Sequence, residues 1–341
     1  MSKRVSLKDI ASKAGVSTAL VSYVLNGKER EARIGLEMVE KVKKIAGQMG
    51  YQPNLIARGL KFGKTKTIGL IVADISNPFF SSLARIIENE AKNHGYTVIF
   101  GSSDEQLDKS RSLIDTLMNR QVDGIIVAPV EGSQQQIMSI KNSKIPVVLI
   151  DRGFKELYTH TVTIDNYESV YKATELLVKN GYKKIAMIAY DLKLTHMQER
   201  VRGYKEVLRN SALPAGKSLL HFVSYEHTFE DIGEKLRDLI YNKKIDAIVF
   251  ATNSISLNAL RVIAKLKLKV PEQLGVVCFD ESDVYDFFYT PVTYIKQDLK
   301  TIGETAVNIM IQYIDKPGQD KLVNKIIKSS LITGSSSGLK R

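Results

Sequence analysis

Two sets of residues in this sequence are of types and spacings that could do chemistry on a partner. The first is Thr18, Ala19, Ser22 and Tyr23, recurring at i, i+1, i+4 and i+5. At helical spacing these four share one outer face, which stays free for a ligand. The second set stands just beyond the ends of short apolar runs. Asp74, Asn77, Phe79 and Phe80 follow residues 68–73, Asp151 and Arg152 follow 147–150, Asp280 follows 276–279, Gln297 follows 293–296, and Arg200 opens a helical stretch before Gly203. Flat aromatic faces can cover the C–H surface of a sugar, while carboxylates accept and guanidinium groups donate hydrogen bonds across neighbouring hydroxyls. Plainer roles fit the same residues: Phe79 and Phe80 suit a core, and Asp74 and Asn77 suit the cap of the helix that follows.

The elements that must position the first set are short. Apolar residues at Leu7, Ile10, Ala11 and Ala14, then at Val16, Leu20, Val21, Val24 and Leu25, predict two amphipathic helices. Between them Gly15 can take the positive φ of a sharp turn, and Ser17 offers a hydroxyl to the N–H groups opening the second helix. Ala11, with nothing beyond Cβ, lets the helices cross closely. Residues 34–49, with Leu36, Val39, Val42, Ile45 and Met49 on one stripe, predict a third helix that closes a three-helix core. Residues 1–66 carry 14 Lys and Arg against 5 Asp and Glu, most of the chain's net charge of +12. A compact basic head on a nearly neutral body points to a polyanion partner for the head, and the two-helix unit has the form of one that lies in a DNA groove.

From residue 67 the period changes. Apolar runs at 68–73, 97–100, 124–128 and 147–150 alternate with helical patterns at 79–94, 110–120 and 133–142. A second series has strands at 185–189, 219–223, 247–250 and 276–279, with helices at 167–180, 199–210, 229–241 and 256–266. This is βαβ repetition in two successive doubly wound halves, whose ligand site is expected at the carboxyl ends of the strands, in the cleft between halves.

Several function classes drop out. The segment Lys61-Phe62-Gly63-Lys64-Thr65 is no phosphate loop, because Arg58 stands where that pattern needs glycine and no strand precedes it. Neither a glycine-rich dinucleotide turn nor a nucleophile with a base partner stands out, so no enzyme and no cofactor is expected. His221 and His227 lie near one another without further ligands at usable spacing, so no metal is expected. Cys278, the one cysteine, sits in an apolar run and reads as a buried strand thiol. The sequence has no run of about 18 apolar residues, and its first residues lack the apolar core of a signal peptide; a cytoplasmic protein is expected. A sugar-binding transport receptor is a distant alternative that the body permits, but it should have a signal peptide and no basic head.

The combination Val5-Ser6-Leu7-Lys8-Asp9-Ile10-Ala11, Ala14-Gly15-Val16-Ser17, Val21-Ser22, then Gly50-Tyr51-Gln52-Pro53-Asn54, Ala57-Arg58, Leu60 and Ile68-Gly69 resembles the lactose-repressor (LacI/GalR) family of bacterial transcription regulators, over essentially the whole chain. The body is also similar to the periplasmic ribose-type sugar-binding proteins. The resemblance implies an all-α helix-turn-helix head plus an α/β body of two doubly wound parallel-sheet subdomains, periplasmic-binding-protein-like. Its boundaries would be 1–50 for the head, 51–66 for a hinge helix and linker, and 67–341 for the body. Within the body the N-subdomain would take about 67–163 and 294–322, and the C-subdomain about 164–291 and 323–341.

In such a regulator the second head helix enters the major groove. Ser17, Ser22 and Asn26 would then meet phosphates, and Thr18 and Ala19 base edges, with Ser6, Leu7, Asn54 and Ala57 completing the DNA-binding set. Tyr23 departs from the family's frequent arginine, which leaves the operator sequence open. Leu60 would be the wedge that pries a base step apart from the minor groove. The effector set implied is Asp74, Asn77, Phe79, Phe80, Asp151, Arg152, Arg200, Asn253, Asp280 and Gln297. The segment Ala251-Thr252-Asn253-Ser254 departs from the family's usual Asn-Asp pair and allows two registers. The resemblance implies a repressor, a homodimer on a palindromic double-stranded operator, and a small effector of the sugar class; a purine, nucleoside or sugar-phosphate corepressor is the alternative. The family's tetramer-forming leucine repeat is missing, so no assembly beyond a dimer is expected.

Overall fold

The computed structural model describes residues 5–51, 64–154, 157–214, 219–225, 228–316 and 322–340. The chain divides into two units, Met1–Thr65 and Lys66–Arg341.

In the first unit, α1 (Leu7–Ala14) begins with a reciprocal cap, in which the Ser6 hydroxyl accepts from the Asp9 N–H and the Asp9 carboxylate accepts from the Ser6 N–H at 2.8 Å. It ends at Gly15, whose φ of +69° turns the chain toward α2 (Thr18–Leu25). α3 (Leu36–Gln48) then crosses both. Ile10, Ala11, Ala14, Val21, Val24, Val39, Val42 and Ala46 form the common core. The expected stripe of α3 needs one correction: Leu36 is 81% exposed, and Ala46 fills the seam in its place. Leu36 is the first residue of the helix, and its side chain lies off the end of the packed seam. The expected hinge residues Asn54, Ala57 and Leu60 lie outside the described residues.

The second unit holds two sheets. β1 (Thr67–Val72), β2 (Thr97–Ser102), β3 (Gly124–Val127), β4 (Val147–Ile150) and β5 (His160–Ile164) form the first with β11 (Asn324–Ile327), in the order β11-β5-β4-β3-β1-β2, all parallel. β6 (Ile185–Tyr190), β7 (Leu220–Val223), β8 (Ala247–Phe250), β9 (Gly275–Phe279) and β10 (Thr293–Lys296) form the second with β12 (Ser330–Ile332), in the matching order β12-β10-β9-β8-β6-β7, only β12 being antiparallel. The helices between strands are α4 (Pro78–Asn93), α5 (Leu107–Asn119), α6 (Gln134–Asn142), α7 (Asn166–Lys179), α8 (Thr195–Asn210), α9 (Thr228–Arg237), α10 (Asn253–Lys265) and α11 (Leu299–Asp315). The central strands β3, β4, β6, β8 and β9 are buried along their whole length, as parallel strands covered on both faces must be.

Two crossings differ from expectation. β10 lies in the second sheet, so the chain returns to the first half with α11 rather than near residue 294. β11, expected in the second half, pairs with β5 in the first. The reason lies in α11, which buries Ile302, Ala306, Val307, Met310 and Ile314 and packs on α4 and on β3, β4 and β5. The chain therefore passes between halves three times, after β5, after β10 and after β11.

α8 lies against α7 through Gly203, where an added Cβ would fall 2.4 Å from the Tyr167 carbonyl oxygen. That neighbour is backbone and cannot swing aside. Gly203→Ala is expected to lower the stability of the body by about 1–3 kcal/mol through overpacking, measured as a shift in the denaturant midpoint at constant slope.

Candidate functional site

On the head, Thr18, Ala19 and Tyr23 are exposed along α2, and Ser17 caps the helix by accepting from the Leu20 N–H at 3.2 Å. Asn26 donates through Nδ2 to the Ser22 carbonyl at 2.6 Å and to its hydroxyl at 3.2 Å. Ser6, Ser17, Ser22 and Asn26 thus hold helix ends within the chain itself. Leu7 is half-buried and packs against the head core, so its side chain is committed inward.

In the body, the two sheets bring the strand-end residues together as a buried polar cluster. Asp151 follows β4 and Asp280 follows β9, equivalent places in the two sheet orders, and both adopt the left-handed region, with φ of +65° and +66°. Aspartate is one of the few side chains that takes this conformation readily, and here it turns the chain in the same way at the two equivalent strand ends. Arg152 donates from Nε to Asp151 at 2.9 Å and from Nη1 to Glu105 at 2.7 Å. Arg200 donates from Nε to Asn166 Oδ1 and from Nη1 to the Ala251 carbonyl, both at 2.8 Å, and its guanidinium lies 3.7 Å above the centre of the Phe279 ring. Gln297 donates to Asp280 at 2.6 Å. Phe79 and Phe80 meet edge to face in the core, and the Arg152 guanidinium stands 5.7 Å over Phe80.

Asn77 caps α4 through the Phe79 N–H at 3.0 Å while its amide reaches Ser254 at 3.4 Å. Asp74 does not cap that helix. It accepts from the Ser76 N–H and hydroxyl, and from the Tyr225 hydroxyl at 2.7 Å. Asp74–Tyr225 and Asn77–Ser254 join the two halves, as do Thr195 donating to the Gly153 carbonyl at 2.9 Å and the Lys193 N–H donating to Glu131 at 3.1 Å. The cleft is therefore closed by bonds across it.

Burial sets the electrostatics. Asp280 is pushed up to about 6 by desolvation, which the Arg200 charge and the Gln297 hydrogen bond only partly offset. Arg200 falls to about 10 for the same reason. Burial also works against the charge on Arg152, but the carboxylates of Glu105 and Asp151 outweigh it and hold the guanidinium above its usual value. His196 is kept neutral, well below the usual imidazole value, by burial and by the nearby Arg152 and Arg200 charges.

Several buried polar atoms of this cluster have no hydrogen-bond partner among the described residues: both amide atoms of Asn253, Gln297 Oε1, Glu105 Oε2 and His196 Nδ1. Such atoms cost about 1–3 kcal/mol each when left unpaired, and in folded proteins nearly all of them are met by protein, ordered water or a ligand. Asn253 opens α10 with Thr252 as the cap, and its side chain is fully buried. Glu105, Asn166, His196 and Tyr225 were missed in the sequence. Asn166 follows the strand end at Ile164, a signal that could have found it; Glu105 and Tyr225 sit in loops without a periodic signature.

Known proteins match this arrangement along the whole chain. Residues 6–54 match the family described as bacterial regulatory proteins, lacI family, and residues 65–333 match periplasmic binding proteins and sugar binding domain of LacI family. Catabolite control protein A of Priestia megaterium is 31% identical over 322 residues, covering 94% of this chain and 95% of that one. The chain belongs to the LacI family. The HTH-type transcriptional regulator RegA of Clostridium saccharobutylicum is 30% identical, covering 96% of this chain and 97% of that one. The crystal structure of the lac repressor dimer bound to operator and the anti-inducer ONPF shares the fold, with a TM-score of 0.84 at 22% identity over 98% of this chain and 100% of that one. As a LacI-family member the chain is a transcriptional regulator with an effector-binding body, and not an enzyme.

The orphaned amide of Asn253 makes a stability prediction. Replacing it by a residue of similar volume without polar atoms removes an unsatisfied buried group, so Asn253→Leu is expected to stabilise the ligand-free protein by about 1–2 kcal/mol while abolishing effector binding. Thermal melts with and without effector check both halves of that statement.

Proposed function

We propose that this regulator is a homodimeric repressor that reads a palindromic operator through Ser17, Thr18, Ala19, Ser22, Tyr23 and Asn26 of the second head helix, and that a monosaccharide in the body cleft sets its operator affinity. The observation that carries the effector reading is the group of orphaned buried polar atoms at Asn253, Gln297, Glu105 and His196, beside the guanidinium and aromatic groups of Arg152, Arg200, Phe79 and Phe80. Each hydroxyl of a polyol both donates and accepts, so adjacent hydroxyls can meet this mixed set of donors and acceptors from several directions, whereas a purine presents fixed donors and acceptors in one plane. The exposed face of α2 and the concentration of positive charge in residues 1–66 support the DNA reading. Two symmetric heads read two half-sites, and Ser6, Asn54, Ala57 and Leu60 would add contacts that bend the duplex. In this reading the protein acts in the cytoplasm, where its DNA is.

Closing and opening of the cleft is the two-state element. An effector that favours one state shifts operator affinity by a factor, and operator shifts effector affinity by the same factor. The bonds Asp74–Tyr225 and Asn77–Ser254 belong to the closed state and bias it.

Two measurements test this. Anisotropy of a labelled palindromic duplex is expected to show affinity falling steeply with salt, with a log–log slope of several units, because phosphate contacts release counterions; a flat profile sinks the operator reading. Asp280 holds its proton to about pH 6 in the free protein, and a ligand hydroxyl donated to it needs the carboxylate. Sugar binding therefore releases a proton, so calorimetric affinity should rise between about pH 5 and 7 and level off above, and Asp280→Asn should flatten the profile.

A further inference from the structure

We infer that the effector carries one positive charge: it is an amino sugar, whose ammonium group is held by Glu105 with Asp74 beside it. This rests on the sugar reading of the cleft given above and narrows it.

The buried charges of the cleft do not balance. Three carboxylates have their side chains buried in it, Asp151 and Asp280 at 5% and 7% exposed and the Glu105 side chain at 8%, against two guanidiniums, Arg152 and Arg200 at 4% and 3%; Asp74 is half-buried at its edge, where water screens its charge. These groups act as one cluster, since Arg152 feels both Glu105 and Asp151 and Arg200 feels both Asp151 and Asp280. His196, neutral, contributes no charge. One buried carboxylate is left in excess, and an uncompensated buried charge is costly unless something pairs with it. A sugar phosphate would deepen the imbalance. A neutral hexose would leave it, and a protonated amine removes it.

The geometry points to where the amine sits. Arg152 engages Glu105 through Oε1 alone, and Glu105 Oε2 is buried without a hydrogen-bond partner among the described residues. A buried carboxylate oxygen in that position calls for a hydrogen-bond donor, and the excess of buried negative charge favours a charged one. The Tyr225 hydroxyl donates to Asp74 at 2.7 Å, and the Glu105 N–H donates at 3.3 Å to the carbonyl of Ala73, the residue before Asp74, so both carboxylates stand at one corner of the cleft. An ammonium has three N–H donors, enough for Glu105 Oε2 and Asp74 together. The sugar's hydroxyls are then left for Asn253, Asp280 and Gln297 on the opposite half. A ligand that bridges Glu105 on one half and Asn253 on the other stabilises closure with its charge as well as its hydroxyls.

Matched pairs test the proposal on the full-length protein: glucosamine, galactosamine and mannosamine against glucose, galactose and mannose, their N-acetyl forms and glucosamine 6-phosphate, by calorimetry at neutral pH. At least one free amine is expected to bind about tenfold or more tighter than its hydroxyl and N-acetyl partners, the worth of one desolvated charge-assisted contact. Glu105→Gln should collapse that ratio toward one, a readout that is internal to one protein sample and therefore independent of its overall stability. Equal binding of amine and neutral partners overturns the amine assignment and leaves the sugar reading standing, as does tightest binding of the phosphate. Binding by no member of the panel overturns both.

Discussion

The structure depends on keeping five charges buried at the ends of parallel strands. Glu105, Asp151, Arg152, Arg200 and Asp280 sit where two sheets face one another, and none is more than about a tenth exposed. Charges in such a place are tolerated only when they are paired and hydrogen-bonded, so the fold must supply partners from several elements at once. Asn166 from the first turn of α7 and the Ala251 carbonyl beyond β8 hold Arg200. Asp151 and the loop residue Glu105 hold Arg152. Because each partner lies on a different strand end, loosening any one of the halves would unpair a buried ion. Two sheets with matching strand order repeat the strand-end aspartate in the left-handed conformation, which a single half could not do.

What could be read in the sequence was governed by burial. Strands such as β3, β4 and β8 are apolar throughout because helices cover both faces, and they stand out as runs. β5, His160–Ile164, alternates in burial, and β11 and β12 are largely exposed and only four and three residues long, so their order comes from pairing partners far away in the chain. α11 carries a clear stripe with Asp298 accepting from the Thr301 N–H at its start, a local signal that sequence reading passed over. The strand-end rule located Asp151, Arg152, Asp280 and Gln297. It could not locate Glu105 or Tyr225, which reach the cluster from loops, because loops follow no period and their destination is set by tertiary contacts.

On the head, the residues proposed to meet phosphate also hold the ends of a helix. Ser17 caps α2, and Ser22 and Asn26 bond to one another at its end, so in the proposed reading the hydroxyls and amide nearest the groove are already oriented. Pre-oriented donors lose little entropy on meeting phosphate, which favours affinity more than discrimination. Thr18 and Ala19 offer methyl contacts and one hydroxyl, and Tyr23, at 44% exposed, can stack or donate once. With so few base readers, sequence preference has to draw on the deformability of the DNA and on the spacing of two half-sites.

The orphaned atoms of the cleft connect stability to regulation. Asn253, Gln297, Glu105 and His196 together leave five buried polar atoms unpaired. At about 1–3 kcal/mol each, satisfying two of them supplies about 2–6 kcal/mol, enough to cover the 1–3 kcal/mol that typically couples two sites in an allosteric protein. A ligand can shift an equilibrium only by its differential affinity for the two states. In the proposed reading an open cleft wets these atoms, so the ligand relieves a cost that exists in the closed state alone, and its differential affinity is large. The selectivity of the switch follows from the same accounting: a molecule that pairs only some of these atoms leaves the others buried and unsatisfied, and closes the cleft less well than one that meets them all.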